Sequence, residues 1–301
     1  MNNTIFKELS SYQKLFAYLL LLFCCSILAT FIGIEIMEVL INKDFTIINS
    51  NQGLDNNSIR GLKIITFFSH LGTFIIPSVI FLLYFNHSIE EFWKVKKKAI
   101  FSFIAIPVFF LGISILSEWT LLLNHQIDFS LFSKSIASYI DESQKNSELM
   151  ITRFVGITWL SFLGNTLVIA IIPAIGEELT FRAVLQPLFI NASKKKHFSI
   201  LFVAFIFAFI HFQFMDFIPR FFLGVIYGYI FYFTKNIYYT IALHFLNNFI
   251  ALTLFFSNTK YNLEIGSIFT QYSITLIIGI FLTWLGFKIL WNKKRANTIK
   301  Y

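Results

Sequence analysis

Long apolar runs alternate with short polar breaks along almost the whole chain, and several breaks are rich in lysine. The runs fall at 15–41, 62–85, 99–123, 154–190, 198–215, 217–234, 237–256 and 267–291. A helix crosses the hydrocarbon core with ~20 residues, so most of these runs suit one crossing each. The run 154–190 is too long for that. It is expected to combine a span with an end segment at the membrane face, with a kink allowed at Pro173, just before Glu177. The pattern predicts an all-α fold, a polytopic transmembrane helical bundle of about eight spans. One integral membrane domain is expected over 1–301. Within it lie a three-helix part at 1–123, a core segment at 150–255 and a last helix with a basic tail at 267–301.

Composition strengthens this picture. The chain is 56% hydrophobic and only 13% charged, against about 25% charged in soluble domains. Forty Phe and twelve Tyr suit a lipid-facing surface with interfacial aromatics. The net charge of +8 sits mainly in short connections between spans, so it is expected to set topology, and nucleic acid is not an expected partner. Placing both termini in the cytoplasm puts Lys7, Lys14, Lys94, Lys96, Lys97, Lys98, Lys194, Lys195 and Lys196 inside, which satisfies the positive-inside rule. Lys7 and Lys14 precede Leu15–Ile34, a run longer than a signal peptide core and lacking a clear cleavage site; an uncleaved first span is expected. Cys24 and Cys25 are adjacent on that span and point about 100° apart, which excludes a disulfide between them. A Lys-, Ile-, Asn- and Phe-rich chain of this kind suits the bacterial inner (cytoplasmic) membrane. The largest outer loop, Asn124–Arg153, is Ser-rich with Asp128, Asp141, Glu142 and Glu148; it reads as amphipathic or poorly ordered, with no catalytic chemistry.

Candidate chemistry is concentrated between Ile171 and Asn248. An ionisable group at membrane depth costs roughly 2.5–3.5 kcal/mol on insertion scales, so several in one region must satisfy one another or do chemistry. In Glu177-Glu178-Leu179-Thr180-Phe181-Arg182, Glu178 and Arg182 are four apart on one helix face and can pair. Glu177 is turned away from that pair by about 100° and can face a cavity, where a carboxylate can deprotonate water. His211 ends the sequence Phe207-Ala208-Phe209-Ile210-His211, and His244 shares a face with Asn248. Glu177 and His211 both lie about 22–26 Å from the basic turn at Lys194–Lys196, taking ~1.5 Å per residue, and His244 lies about 13 Å past Lys235. A hairpin at that turn would bring Glu177 and His211 level. Other polar residues have plainer readings. His70 is expected to make an interhelical or packing contact. Glu35, Glu38 and Glu118 lie near span ends, Arg220 is an interfacial anchor expected to pair with Asp216, and Gly224 with Gly228 is expected to let helices pack closely.

Taken in order on consecutive apolar segments, Glu177-Glu178-x-x-x-Arg182, Phe207-x-x-x-His211 and His244-x-x-x-Asn248 resemble the CAAX protease and bacteriocin-processing (CPBP, Abi) family, whose eukaryotic members are the type II CAAX prenyl endopeptidases. The resemblance covers about residues 150–255. It implies an intramembrane endopeptidase whose substrate is a peptide or membrane protein reached from the lipid bilayer. By that resemblance Glu177 is the general base, His211 holds or polarises the water, and His244 with Asn248 stabilises the oxyanion, while Glu178 and Arg182 support the motif helix. A metal-free mechanism with no cofactor is favoured. The alternative is zinc held by Glu177, His211 and His244, since two imidazoles and a carboxylate can form a three-ligand site with an open position. A non-catalytic immunity or scaffold protein is the competing function from another class, and a transporter with inverted repeats a third.

Overall fold

The computed structural model describes residues 9–42, 55–85, 105–261 and 273–295. The basic segment Lys94–Lys98, the first residues of the 99–123 and 267–291 runs, and the end of the tail lie outside the described residues. The described elements are helices, with no strand among them. In chain order they are α1 (Ser11–Ile41), α2 (Asn56–His70), α3 (Ile76–Phe85), α4 (Ala105–His125), α5 (Lys134–Val155), α6 (Trp159–Asn165), α7 (Ile172–Glu178), α8 (Gln186–Ser193), α9 (Lys196–Phe209), α10 (Phe217–Thr234), α11 (Ile237–Tyr261) and α12 (Ile274–Arg295). Among the described residues six helical runs are long and apolar enough to cross a membrane, and Lys196–Phe209 and Ile274–Leu290 are shorter apolar helices. The chain is an integral, multi-pass membrane protein.

Three of the junctions are π-helical turns, at Leu71–Ile75, Thr166–Ile171 and Leu179–Leu185. A proline follows each of them at the second position of the next helix: Pro77, Pro173 and Pro187. Proline lacks an N–H and its ring crowds the carbonyl four residues back, and widening the preceding turn relieves both problems. Pro219 sits in the first turn of α10, where the missing N–H costs nothing. The long run expected at 154–190 is therefore one continuous helical path, Trp159–Ser193, carrying two wide turns.

The residues group into two compact units. One comprises 1–89, 151–194 and 248–262; the other comprises 90–150, 195–247 and 263–301. In the first, α1 and α2 pack closely at Gly33, where an added Cβ would stand 2.9 Å from Phe68 Cβ. Hydroxyl pairs Ser26–Thr73 (2.8 Å) and Thr30–Ser69 (2.9 Å) link α1 to the α2 run. This is the small-residue and hydroxyl packing that holds helices together where lipid offers no hydrophobic contrast. A second core of Val155, Phe162, Leu252 and Phe256 joins α6 to the end of α11. Cys24 and Cys25 are both free thiols, as expected.

In the second unit α12 lies along α4 through glycines. A Cβ on Gly112 would stand 2.5 Å from the Thr283 nitrogen, and one on Gly286 would stand 2.6 Å from Phe109 Cβ. A Cβ added to Gly224 on α10 would stand 3.1–3.2 Å from Ala204 and Phe207 of α9, so the close packing expected of that glycine is present. Asn124, fully buried at the end of α4, donates from Nδ2 to the Phe214 carbonyl (2.9 Å) and accepts from the Ile218 N–H (2.8 Å), fixing the start of α10. The segment 124–153 is largely helical. It contains a 3₁₀ turn, Phe129–Leu131, and the long helix α5.

Candidate active site

Glu177, Glu178, Arg182 and Asn248 belong to the first unit, and His211 and His244 to the second. Glu177 and Glu178 end α7, and Arg182 lies in the following π-helical turn. All three are buried, and Glu178 and Arg182 are fully so. The expected pair forms, with Arg182 Nε 3.3 Å from Glu178 Oε2. Arg182 also stands over the Phe181 ring, 5.9 Å from its centroid. Two opposite charges out of water need each other: a single buried charge is far costlier than the matched pair.

What holds the motif helix in place was invisible in the sequence. Gly176 faces the π-helical turn after α2 so closely that an added Cβ would stand 2.8 Å from Phe74 Cβ and 3.0 Å from Ile75 Cγ1. Beside it, three buried hydroxyls close a ring: Tyr18 to Ser78 at 2.8 Å, Tyr18 to Thr180 at 3.1 Å, and Ser78 to Thr180 at 3.0 Å. Thr180 donates to the Phe74 carbonyl (3.1 Å) and accepts from the Tyr18 hydroxyl, which leaves Ser78 to give its one proton to Tyr18, the nearer of its two neighbours. Thr180 lies between Glu178 and Arg182, and the ring ties the motif to α1 and α3. Asn248 Nδ2 donates to the Ile169 carbonyl (3.3 Å), in the π-helical turn just before α7. The α11 residue that shares a face with His244 is thus anchored to the helical path that bears Glu177.

In the second unit the two histidines share one neighbour. The Phe207 ring lies 5.2 Å from the His211 ring and 5.9 Å from the His244 ring, nearly perpendicular to the latter. His244 is buried and stacks on Tyr227 at 5.6 Å. His211 Nδ1 sits 2.7 Å from the Phe207 carbonyl. A carbonyl only accepts, so Nδ1 carries the proton and neutral His211 has its lone pair on Nε2. That tautomer can take a proton from water, and it is also the arrangement of a metal-ligating imidazole. Neither unit by itself gathers three His, Cys, Asp or Glu that could hold a metal ion among the described residues.

One expectation about His211 needs correcting. The run 198–215 does not stay helical: α9 ends at Phe209, and His211 lies in the turn beyond it. Phe212 then adopts φ 52°, a left-handed conformation that costs an L-residue on the order of 1–2 kcal/mol. Ring contacts of Phe209 with Phe212 (5.8 Å) and Phe214 (6.4 Å) hold the turn. Arg220 adds an ion pair with Asp216 (3.4 Å), as expected, and donates to the Gln213 side chain. Aromatic rings alternate here with His211, Gln213 and Asp216, so apolar residues continue past the helix end at Phe209 while polar ones already break the run. His70 has the packing role expected of it, with Nδ1 3.1 Å from the Thr66 carbonyl and its ring 5.6 Å from Phe74.

Residues 159–250 match the model of a protein family described as type II CAAX prenyl endopeptidase Rce1-like. The match contains Glu177, Glu178, Arg182, Phe207, His211, His244 and Asn248, and supports the CAAX-protease resemblance on the same residues. No match was found among curated proteins or among solved structures.

Proposed function

From an Rce1-like domain at residues 159–250, we propose that this protein is an intramembrane endopeptidase of the CAAX-protease type, acting on a peptide or membrane-associated protein. The observation that carries the proposal is the coincidence of the family match with the complete set of chemistry-bearing motifs, in order, on an otherwise apolar stretch. The chemistry is hydrolysis of one peptide bond. Glu177 takes a proton from water, and the hydroxide oxygen bonds to the carbonyl carbon. His211, whose Nε2 bears the lone pair, orients that water. The His244 imidazole and Asn248 amide stabilise the resulting oxyanion. The C–N bond then breaks, and Glu177 returns its proton to the amine. Each oxyanion donor in such a dry site is worth on the order of 10²–10³ in rate.

Asn248 supports this reading, since one of its amide hydrogens goes to Ile169 and the amide has a second one to donate. The second chemistry uses the same residues. Zinc bound by Glu177, His211 and His244 would polarise the carbonyl or acidify water, and the His211 tautomer fits a ligand. A substrate of the bacterial inner membrane, with both termini of the enzyme in the cytoplasm, fits the composition better than a prenylated one. The test is cleavage of a panel of peptides and prenylated peptides by the detergent-purified protein and by Glu177→Ala and His211→Ala. Cleavage by wild type that both substitutions abolish, with folding kept, is the expected result. A binding or immunity function that survives both substitutions, with no cleavage by wild type, would replace the proposal with a scaffold.

A further inference from the structure

The outer segment between α4 and α6 presents an apolar stripe that no described part of the chain covers. Phe132 stands in the turn just before α5, and Ile136 and Tyr139, three residues apart, lie on one side of its first turns. They are 76%, 50% and 67% exposed, and Leu131 beside them is 82% exposed. Lys134, Ser138, Asp141, Glu142 and Lys145 occupy the other side at about 100° per residue. Ile140, turned inward, is buried and seats the helix on the protein. The turn that displays Leu131 and Phe132 is locked by Asp128, whose Oδ1 accepts from the Ser130 N–H at 2.9 Å.

What covers this stripe follows from where the chain goes next. Segments 126–133 and 156–158 join α5 directly to α4 and to the Trp159–Ser193 run, both apolar enough to cross a membrane. Exposed apolar side chains recur at both joints: Leu122, Leu123 and Ile127 before the stripe, then Ile151, Ile157, Trp159 and Leu160 after it. With its own charges α5 cannot span, and with both ends tied to spans it cannot leave the membrane face. Its ionic side chains balance, Lys134, Lys145 and Arg153 against Asp141, Glu142 and Glu148, so attraction to anionic lipid contributes little. We infer that α5 is an interfacial helix: Leu131, Phe132, Ile136 and Tyr139 insert into the headgroup–acyl boundary of the bilayer, driven by apolar burial rather than charge.

The test uses the full chain with Cys24→Ser and Cys25→Ser, carrying one environment-sensitive fluorophore at Phe132→Cys, Tyr139→Cys or Glu142→Cys. The proteins are reconstituted in phosphatidylcholine vesicles, with and without phosphatidylglycerol. The expected result is blue-shifted emission, quenching by doxyl-labelled lipid and loss of iodide quenching at 132 and 139, with the reverse at 142. The pattern is expected to be the same in both lipid compositions and to persist in nanodiscs holding one copy. Equal iodide quenching at 132, 139 and 142 would overturn the inference. So would protection that requires phosphatidylglycerol, or protection lost in single-copy nanodiscs, which would assign the stripe to a second copy of the chain.

Discussion

Substituting Gly176 by Ala tests the packing that positions the motif helix. The added Cβ would stand 2.8 Å from Phe74 Cβ and 3.0 Å from Ile75 Cγ1, against about 3.5–4.0 Å for carbons at rest. Neither contact atom is the end of a flexible side chain, so the helix and the π-helical turn must separate by roughly 0.5–1 Å. Such overpacking costs about 1–3 kcal/mol. The same turn carries the Phe74 carbonyl, which accepts from Thr180 at 3.1 Å; the separation stretches that bond past the usual limit and exposes a buried hydroxyl, adding about 1–3 kcal/mol. The expected loss is roughly 2–6 kcal/mol, or about 4–24 °C in the unfolding midpoint. Gly164→Ala is the control. Nothing lies within 4 Å of its added Cβ, so removing a helical glycine is expected to raise stability by about 0.5–1 kcal/mol. Both are read by thermal unfolding in detergent, with peptide cleavage alongside. Glu177 is the next residue, and a shift near 1 Å is expected to cost up to ~10²-fold in rate. A Gly176→Ala protein that unfolds with wild type, or that shifts upward as Gly164→Ala does, would refute the close contact.

Arg182→Met is expected to destabilise by about 3–5 kcal/mol because it strands Glu178, whereas Glu178→Gln with Arg182→Met recovers most of the loss; additive losses in that double-mutant cycle would contradict the pair. Thr180→Val is expected to cost about 1–3 kcal/mol through the hydroxyls it leaves unsatisfied, with Thr180→Ser close to wild type in the same unfolding assay. The hydroxyl and N–H of Ser130 hold the Asp128 carboxyl below its ordinary value of 3.8. Its capping contribution is therefore complete above that value and disappears as pH falls through the lower folded value. Fluorescence from position 132 should stay constant from about pH 5 upward and change only in stronger acid; a change between pH 5 and 7 would show another group in control.

What the sequence disclosed and what it hid divide along the range of the interactions. Glu178 with Arg182, and Arg220 with Asp216, were legible because each pair is four residues apart on one helix, where geometry alone brings them together. The spans were legible because lipid demands unbroken apolar runs. Pro173 pointed only to a kink, and Pro77 and Pro187 were not read at all; the widened turns before the three emerge once the backbone is seen. The ring of Tyr18, Ser78 and Thr180 was hidden, since its members lie on separate parts of the chain and each hydroxyl alone is ordinary. Asn248 was recognised as polar and well placed, yet its bond to the Ile169 carbonyl depends on a helix far away in sequence. The end of α9 was missed because Phe212, Phe214 and Met215 extended the apolar run, although His211 and Gln213 already interrupt it.

Glu177 is proposed to activate water for peptide hydrolysis. That role is tested most directly by single-turnover cleavage with purified wild-type protein and Glu177→Ala of matched thermal stability, each with and without a zinc chelator. The account predicts cleavage by wild type that persists under chelator and vanishes in Glu177→Ala. Cleavage by Glu177→Ala at the wild-type rate would contradict it, and cleavage by wild type that the chelator abolishes and zinc restores would replace the metal-free mechanism with the zinc one.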